Sequence, residues 1–352
     1  MGHTDILFER RGAAGIVTLN RPKALNAVTH GMVLTLRAQL DRWAEDSAIA
    51  HVVIVAAGER AFSAGGDIRA LYDLGKAGKH DEALQFWRDE YPLNVAIKNY
   101  RKPYVALIDG IAMGGGVGVS VHGSHRVAGD RFSFAMPEVG IGFFPDVGAT
   151  WFLPRMPGEF GAFCALTGER LGPADAVVMG IATHRVSSAR FGEVLDALSG
   201  TVSVDAVLAA FAEQVEPGPV AQRRAEVDRV FGASRVEDVL DALDREAISG
   251  SAGAAWAQKS TATIRTKSPL SLKLAHAQVR RGRSWDFETC MRAEFRIVSR
   301  VIQGHDFYEG VRAVIIDKDN QPRWRPATLA GVSDAEVERH FAPLGKSELV
   351  LS

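Results

Sequence analysis

The chain has 352 residues, 47% of them hydrophobic and 24% charged, with a formal net charge of −1. That is globular composition, long enough for one large domain or two moderate ones. A net charge so near zero gives no global field to gather nucleic acid or a membrane surface, and basic residues cluster only locally, as at Arg280, Arg281 and Arg283.

The first residues, MGHTDILFERRG, hold no apolar signal core, and Asp5 and Glu9 do not suit a transit peptide. No run approaches the ~18 apolar residues of a membrane span. GIVTL (15–19) is a β-branched run ended by Asn20 and Pro22, and HVVIVAA (51–57) and YVALIDG (104–110) are similar. Near-continuous apolar runs predict strands buried on both faces. Between them lie helical patterns over residues 31–44, with Leu34, Leu36, Leu40 and Trp43, and over 80–99. Strands alternating with helices over the first ~190 residues predict an α/β fold with crossover connections.

From about residue 203 the patterns are helical. Ser203 can cap a helix through VLAAFAEQV, Ser234 to Glu237 and Ser333 to Glu336 read as capping boxes, and Ser268-Pro269 reads as N-cap and first helical position. PGPV (217–220) and GSAG (250–253) are breaks. The expected organisation is an α/β core over 1–200 and a mostly helical region over 201–352. The two cysteines, Cys164 and Cys290, form neither a disulfide framework nor a zinc spacing, which suits a reducing compartment. The expectation is a soluble cytoplasmic protein without nucleic-acid or membrane partners.

Three stretches could carry chemistry. AFSAGGD (61–67) follows a predicted strand and precedes a helix beginning near Ile68. Its glycines let the backbone turn and let a ligand approach the N–H groups, as a helix N-terminus also does; a tight turn with no ligand is an equal alternative. GIAMGGGVGVSVHG (110–123) places Gly114, Gly115 and Gly116 after a strand. Each costs roughly 1 kcal/mol relative to Ala in a helix, so bare backbone or close helix packing is needed there. No Lys-Ser/Thr follows, no third glycine completes a dinucleotide fingerprint, and His122 stands where a nucleophile elbow needs Gly. His122 and His125 lack a carboxylate or thiolate at metal-ligand spacing. The third stretch, PEVGIGFFPDVG (137–148), sets Glu138 and Asp146 among glycines, prolines and apolar residues. Asp146 could instead cap a helix starting near Val147, and Glu138 could be a solvated loop residue.

Two Gly-rich strand-to-helix turns followed by an acid-bearing loop resemble the crotonase (enoyl-CoA hydratase/isomerase) superfamily. AFSAGGDIRALYD, FWRDEYPLN, KPYVALIDGIAMGGGVGVSVHG, FAMPEVGIGFFPDVG, LTGERL, GIATH and GHDFYEGVRAVIIDKDNQPRW are similar to its branch that hydrolyses short 3-hydroxyacyl-CoA thioesters, over about residues 15–345. The resemblance implies a spiral of ββα units. It implies oxyanion donors at the N–H groups of Gly66 and Gly115, a catalytic acid at Glu138, the extra acid of the hydrolase branch at Asp146, and a substrate contact at Glu90. The first hydratase glutamate falls on Gly118, and Ser63 stands where the family usually has Cys. Hydration shares proton delivery and water activation between two acids, and glycine can do neither. The implied activity is hydrolysis of a short 3-hydroxyacyl-CoA of valine breakdown. The alternatives are a hydratase or isomerase and a non-catalytic acyl-CoA binder. No cofactor is implied, coenzyme A being part of the substrate, and the family's assemblies imply a homo-oligomer built on trimers.

Overall fold

The computed structural model describes residues 4–351. These form two compact units, each assembled from separate stretches of chain. One comprises residues up to Asp67, Asp89–Ala135 and Arg170–Gln222; the other comprises Ile68–Arg88, Met136–Glu169 and the chain from Arg223 onward. The strands all lie before residue 200, but the compact units are interleaved in sequence rather than divided there.

The first unit holds nine strands among the described residues: β1 (Ile6–Arg11), β2 (Ala14–Leu19), β3 (His51–Ala56), β4 (Ala61–Ser63), β5 (Tyr104–Ile108), β6 (Ile111–Met113), β7 (His125–Ala128), β8 (Ser133–Ala135) and β9 (His184–Arg185). A six-stranded sheet runs β1-β2-β3-β5-β7-β9, and a three-stranded sheet runs β4-β6-β8. β1 pairs antiparallel to β2, and the remaining pairs are parallel. Each of the hairpin-like steps β3-β4, β5-β6 and β7-β8 gives one strand to each sheet. This is the expected α/β spiral of ββα units. The β-branched runs became buried strands: β5 is buried at every position. Ile16, Val53, Val105 and Val127 pack with Val194 and Leu198 of the helix Phe191–Leu198 and with Val207 of Val204–Phe211. Burying each such side chain contributes about 1.5–3 kcal/mol.

The helix expected over 31–44 spans His30–Glu45, capped by Thr29. Leu36, Leu40 and Trp43 are buried, whereas Leu34 points outward and is 50% exposed. The 80–99 pattern is the helix His80–Lys98.

The second unit is mainly helical. Phe163, Phe231 and Trp256 bring together the helices Phe160–Thr167, Arg224–Phe231 and Ala254–Arg265 through ring contacts of 5.2 to 6.3 Å. The helix Pro269–Gly282 starts as expected, with the Ser268 hydroxyl accepting from the Ser271 N–H. Ser203 and Ser333 cap as expected too. The box at 234–237 does not form. The helix Val236–Ala247 begins after Arg235 with no side-chain cap, and Glu237 instead pairs with Lys273 at 2.8 Å. The local arginine cluster is consumed by packing: Arg280 and Arg283 both bind Glu159, and Arg281 binds Glu338. No helix among the described residues is long and apolar enough to cross a membrane.

Candidate active site

In the first unit, β4 and β6 are parallel neighbours, so the glycine turns that follow them emerge side by side. After β4 the chain turns at Gly65, with φ +117. It is pinned by Val28, whose N–H donates to the Gly65 carbonyl at 2.8 Å and whose carbonyl accepts from Asp67 at 2.9 Å. After β6, Gly114 takes φ 45, ψ −126 before the four-residue helix Gly115–Gly118. A β-carbon built on Gly115 would lie 3.2 Å from the Gly66 nitrogen and 2.8 Å from Glu90 Oε1. A side chain at 115 would therefore crowd the other turn and displace the Glu90 carboxylate. Among the described residues, neither the Gly66 N–H nor the Gly115 N–H donates to a protein acceptor. Unpaired backbone donors this close together are uncommon and mark a place for an acceptor from outside the chain.

Glu90 belongs to the helix His80–Lys98 and is 1% exposed. Gly118 is buried, and its carbonyl accepts from Asn94 Nδ2 at 3.2 Å. Ser63 is buried and its hydroxyl accepts weakly from the Gly65 N–H, so the Cys-to-Ser departure leaves the turn intact.

In the second unit, Glu138 opens the short 3₁₀ segment Glu138–Ile141 and is 7% exposed. Among the described residues, its buried Oε2 has no hydrogen-bond partner. Burial first, and the charge of Asp146 second, raise its pKa well above the ordinary carboxylate value. Further along the same stretch, Phe143, whose N–H donates to the Glu138 carbonyl at 3.0 Å, stacks on Phe144 at 4.5 Å and on Trp87 at 5.6 Å. Gly142 at φ 68 permits the turn between the acids, and a β-carbon there would lie 2.0 Å from the Asp306 carbonyl oxygen.

Asp146 is buried too. It does not cap the next helix. That helix, Ala149–Phe152, has Gly148 at its N-cap. The Ala149 amide donates to the Asp146 backbone carbonyl at 2.9 Å, and the flanking amides go to Glu294, which accepts from Gly148 at 2.8 Å and from Thr150 at 2.9 Å. The sequence reading missed Glu294. It is fully buried, and burial, then Asp146, push its pKa up to about 8. The available signal was an acid inside an apolar helical stripe, with Cys290, Met291, Ile297 and Val298 three or four residues to either side.

His125 pairs with Asp205 at 2.9 Å and stacks on His184, and His122 is buried. Among the described residues no group of three or more His, Cys, Asp or Glu could hold a metal ion.

The family described as Enoyl-CoA hydratase/isomerase matches residues 14–341. The Danio rerio protein named "3-hydroxyisobutyryl-CoA hydrolase, mitochondrial" is 46% identical, over 99% of this chain and 92% of its own length. Two solved structures share the fold over nearly the whole chain. One is named a carnitinyl-CoA dehydratase, from Mycobacterium thermoresistibile, with a TM-score of 0.92 and 43% identity over 98% of both chains. The other is named an enoyl-CoA hydratase, from Rhodobacter sphaeroides 2.4.1, with a TM-score of 0.91 and 38% identity over 99% of this chain and 100% of its own. The ββα spiral with its paired glycine turns is thus a crotonase fold, and the chain belongs to the enoyl-CoA hydratase/isomerase family.

Proposed function

We propose that the protein is an acyl-CoA thioester hydrolase acting on a short 3-hydroxyacyl-CoA, namely 3-hydroxyisobutyryl-CoA, and releasing 3-hydroxyisobutyrate and coenzyme A in valine catabolism. The observation that carries this is the change of acids. Gly118 stands where a hydratase of the family places its first glutamate, with its carbonyl held by Asn94, while a second buried carboxylate, Asp146, accompanies Glu138. The name of the Danio rerio relative supports the same reading.

In this reading the thioester oxygen accepts from the Gly66 and Gly115 amides. Their donors are already fixed by the backbone, so charge developing on that oxygen meets them without reorganisation. Glu138 takes a proton from an attacking water, the tetrahedral species collapsing to the free acid and CoA thiolate, or it attacks the carbonyl carbon itself, expelling CoA thiolate and leaving an acyl anhydride on Glu138 that water then hydrolyses. A carboxylate raised above its ordinary pKa is a stronger base near neutral pH than a solvated one. Asp146 accepts the substrate's 3-hydroxyl, and Glu90 contacts substrate beside Gly115. No cofactor is required beyond the coenzyme A of the substrate. A trimer-based homo-oligomer and a cytoplasmic location belong to the proposal; the Danio rerio name places that relative in mitochondria.

The second reading is a hydratase or dehydratase in which Asp146 takes the place of the missing glutamate. The names of the two solved structures favour it. Product analysis separates them. Hydrolysis releases free thiol from a 3-hydroxyacyl-CoA, whereas dehydration makes an enoyl-CoA and no thiol.

A further inference from the structure

The stretch around Asp146 is held from both sides by residues of distant helices. Gln278, on Pro269–Gly282, donates through Nε2 to the Pro145 carbonyl at 3.0 Å and to Thr150 Oγ1 at 2.8 Å. Glu294, on Phe287–Val301, accepts from the Gly148 and Thr150 amides, one on each carboxylate oxygen. Between these clamps Val147 sits at φ 50, a left-handed conformation that a β-branched residue avoids. Such strain persists only where the surroundings over-determine the backbone. Both clamping side chains are buried: Glu294 is 0% exposed and Gln278 is 2% exposed. Two helix-start amides are ordinarily satisfied by a local Ser, Asp or Asn at little cost. Here they are met by a fully buried carboxylate some 145 residues further along, which burial disfavours.

We infer that Glu294 is a positioning residue for Asp146, acting with Gln278 through the backbone of residues 145–150. It sets the strained turn at Val147 and so the direction in which the Asp146 carboxylate points. The inference rests on the reading in which Asp146 meets the substrate 3-hydroxyl. Asp146 is also the charged neighbour that, after burial, raises the pKa of Glu294, so the two groups are coupled by charge as well as by chain.

The test is kcat/KM for 3-hydroxyisobutyryl-CoA and for isobutyryl-CoA in wild type, Glu294→Gln and Gln278→Met, with melting temperatures alongside. Gln at 294 keeps the length but has one acceptor oxygen, so one of the two amides meets an NH₂ group instead. The preference for the 3-hydroxyl substrate should fall at least about tenfold in Glu294→Gln, mainly through kcat, and by a smaller factor in Gln278→Met. A folded Glu294→Gln protein that keeps the wild-type preference, whatever its melting temperature, overturns the inference. If Glu294→Gln does not fold, Gln278→Met decides by the same criterion. Wild-type enzyme that releases no thiol from either substrate overturns the functional reading first, and the inference with it.

Discussion

Gly66 and Gly115 are 49 positions apart in sequence, yet a β-carbon on Gly115 would stand 3.2 Å from the Gly66 nitrogen. The parallel pairing of β4 with β6 brings them together, and among the described residues neither amide has a protein acceptor, which leaves both open.

Gly115→Val should therefore cripple turnover. The side chain would collide with the Gly66 amide and the Glu90 carboxylate and displace one or both donors. Loss of one oxyanion donor costs about 3 kcal/mol in the transition state, or ~10²-fold in kcat. Thiol release by a folded variant, with circular dichroism to verify the fold, is the check; wild-type kcat would mean the turn is only structural.

Glu138→Gln should lower hydrolysis by ~10²-fold or more without lowering stability. Among the described residues Glu138 Oε2 has no partner to lose, and Gln avoids burying a charge. In wild type, kcat/KM should rise with pH along a limb centred above the ordinary carboxylate range, because the ionised form reacts and burial raises the pKa of Glu138. Three interacting carboxylates give that limb a macroscopic midpoint. A midpoint at or below 4.5 would contradict the assignment.

The same burial has a consequence for stability. An acid whose folded-state pKa is raised contributes stability that is fully present below its unfolded value of 4.5 and is lost as pH rises through the raised value. Glu138 is raised well above 4.5, and Glu294 to about 8. As pH rises above 4.5, wild type should lose melting temperature relative to Glu138→Gln, the two curves diverging as pH increases. Parallel curves in scanning calorimetry would refute the shift.

Asp146→Ala should shrink the preference for 3-hydroxyisobutyryl-CoA over isobutyryl-CoA, because a site built to hold a hydroxyl strongly rejects an analogue without one. Since Glu294 takes the helix-start amides, the variant should not show the ~0.5–2 kcal/mol loss of a removed cap. Unchanged discrimination with reduced stability would assign Asp146 a structural role.

Much of this architecture is legible locally. The runs at 15–19, 51–57 and 104–110 became β2, β3 and β5 to within a residue or two at each end, because continuous β-branched burial has few other solutions. The three-residue strands β4, β6 and β8 are too short to show a period, and only the family resemblance implied them. β1 carries Glu9, Arg10 and Arg11 on an exposed edge, which hides its strand character. In the candidate site, the glycine turns and the two acids of residues 137–148 stand out because Gly clusters and acids in apolar loops are locally costly. Glu294 and Gln278 reach the loop from about 130–145 residues away, and pairing at that distance leaves no local trace. The Ser234 box failed for the same reason: Lys273, far along the chain, takes the Glu237 carboxylate.

Incubating the purified protein with 3-hydroxyisobutyryl-CoA, while following free thiol together with the enoyl-CoA chromophore, separates hydrolysis from dehydration. A hydrolase should release thiol stoichiometrically, lose that release in Glu138→Gln and form no enoyl-CoA. Enoyl-CoA formation without thiol release would contradict that reading and make this chain a hydratase built around Asp146.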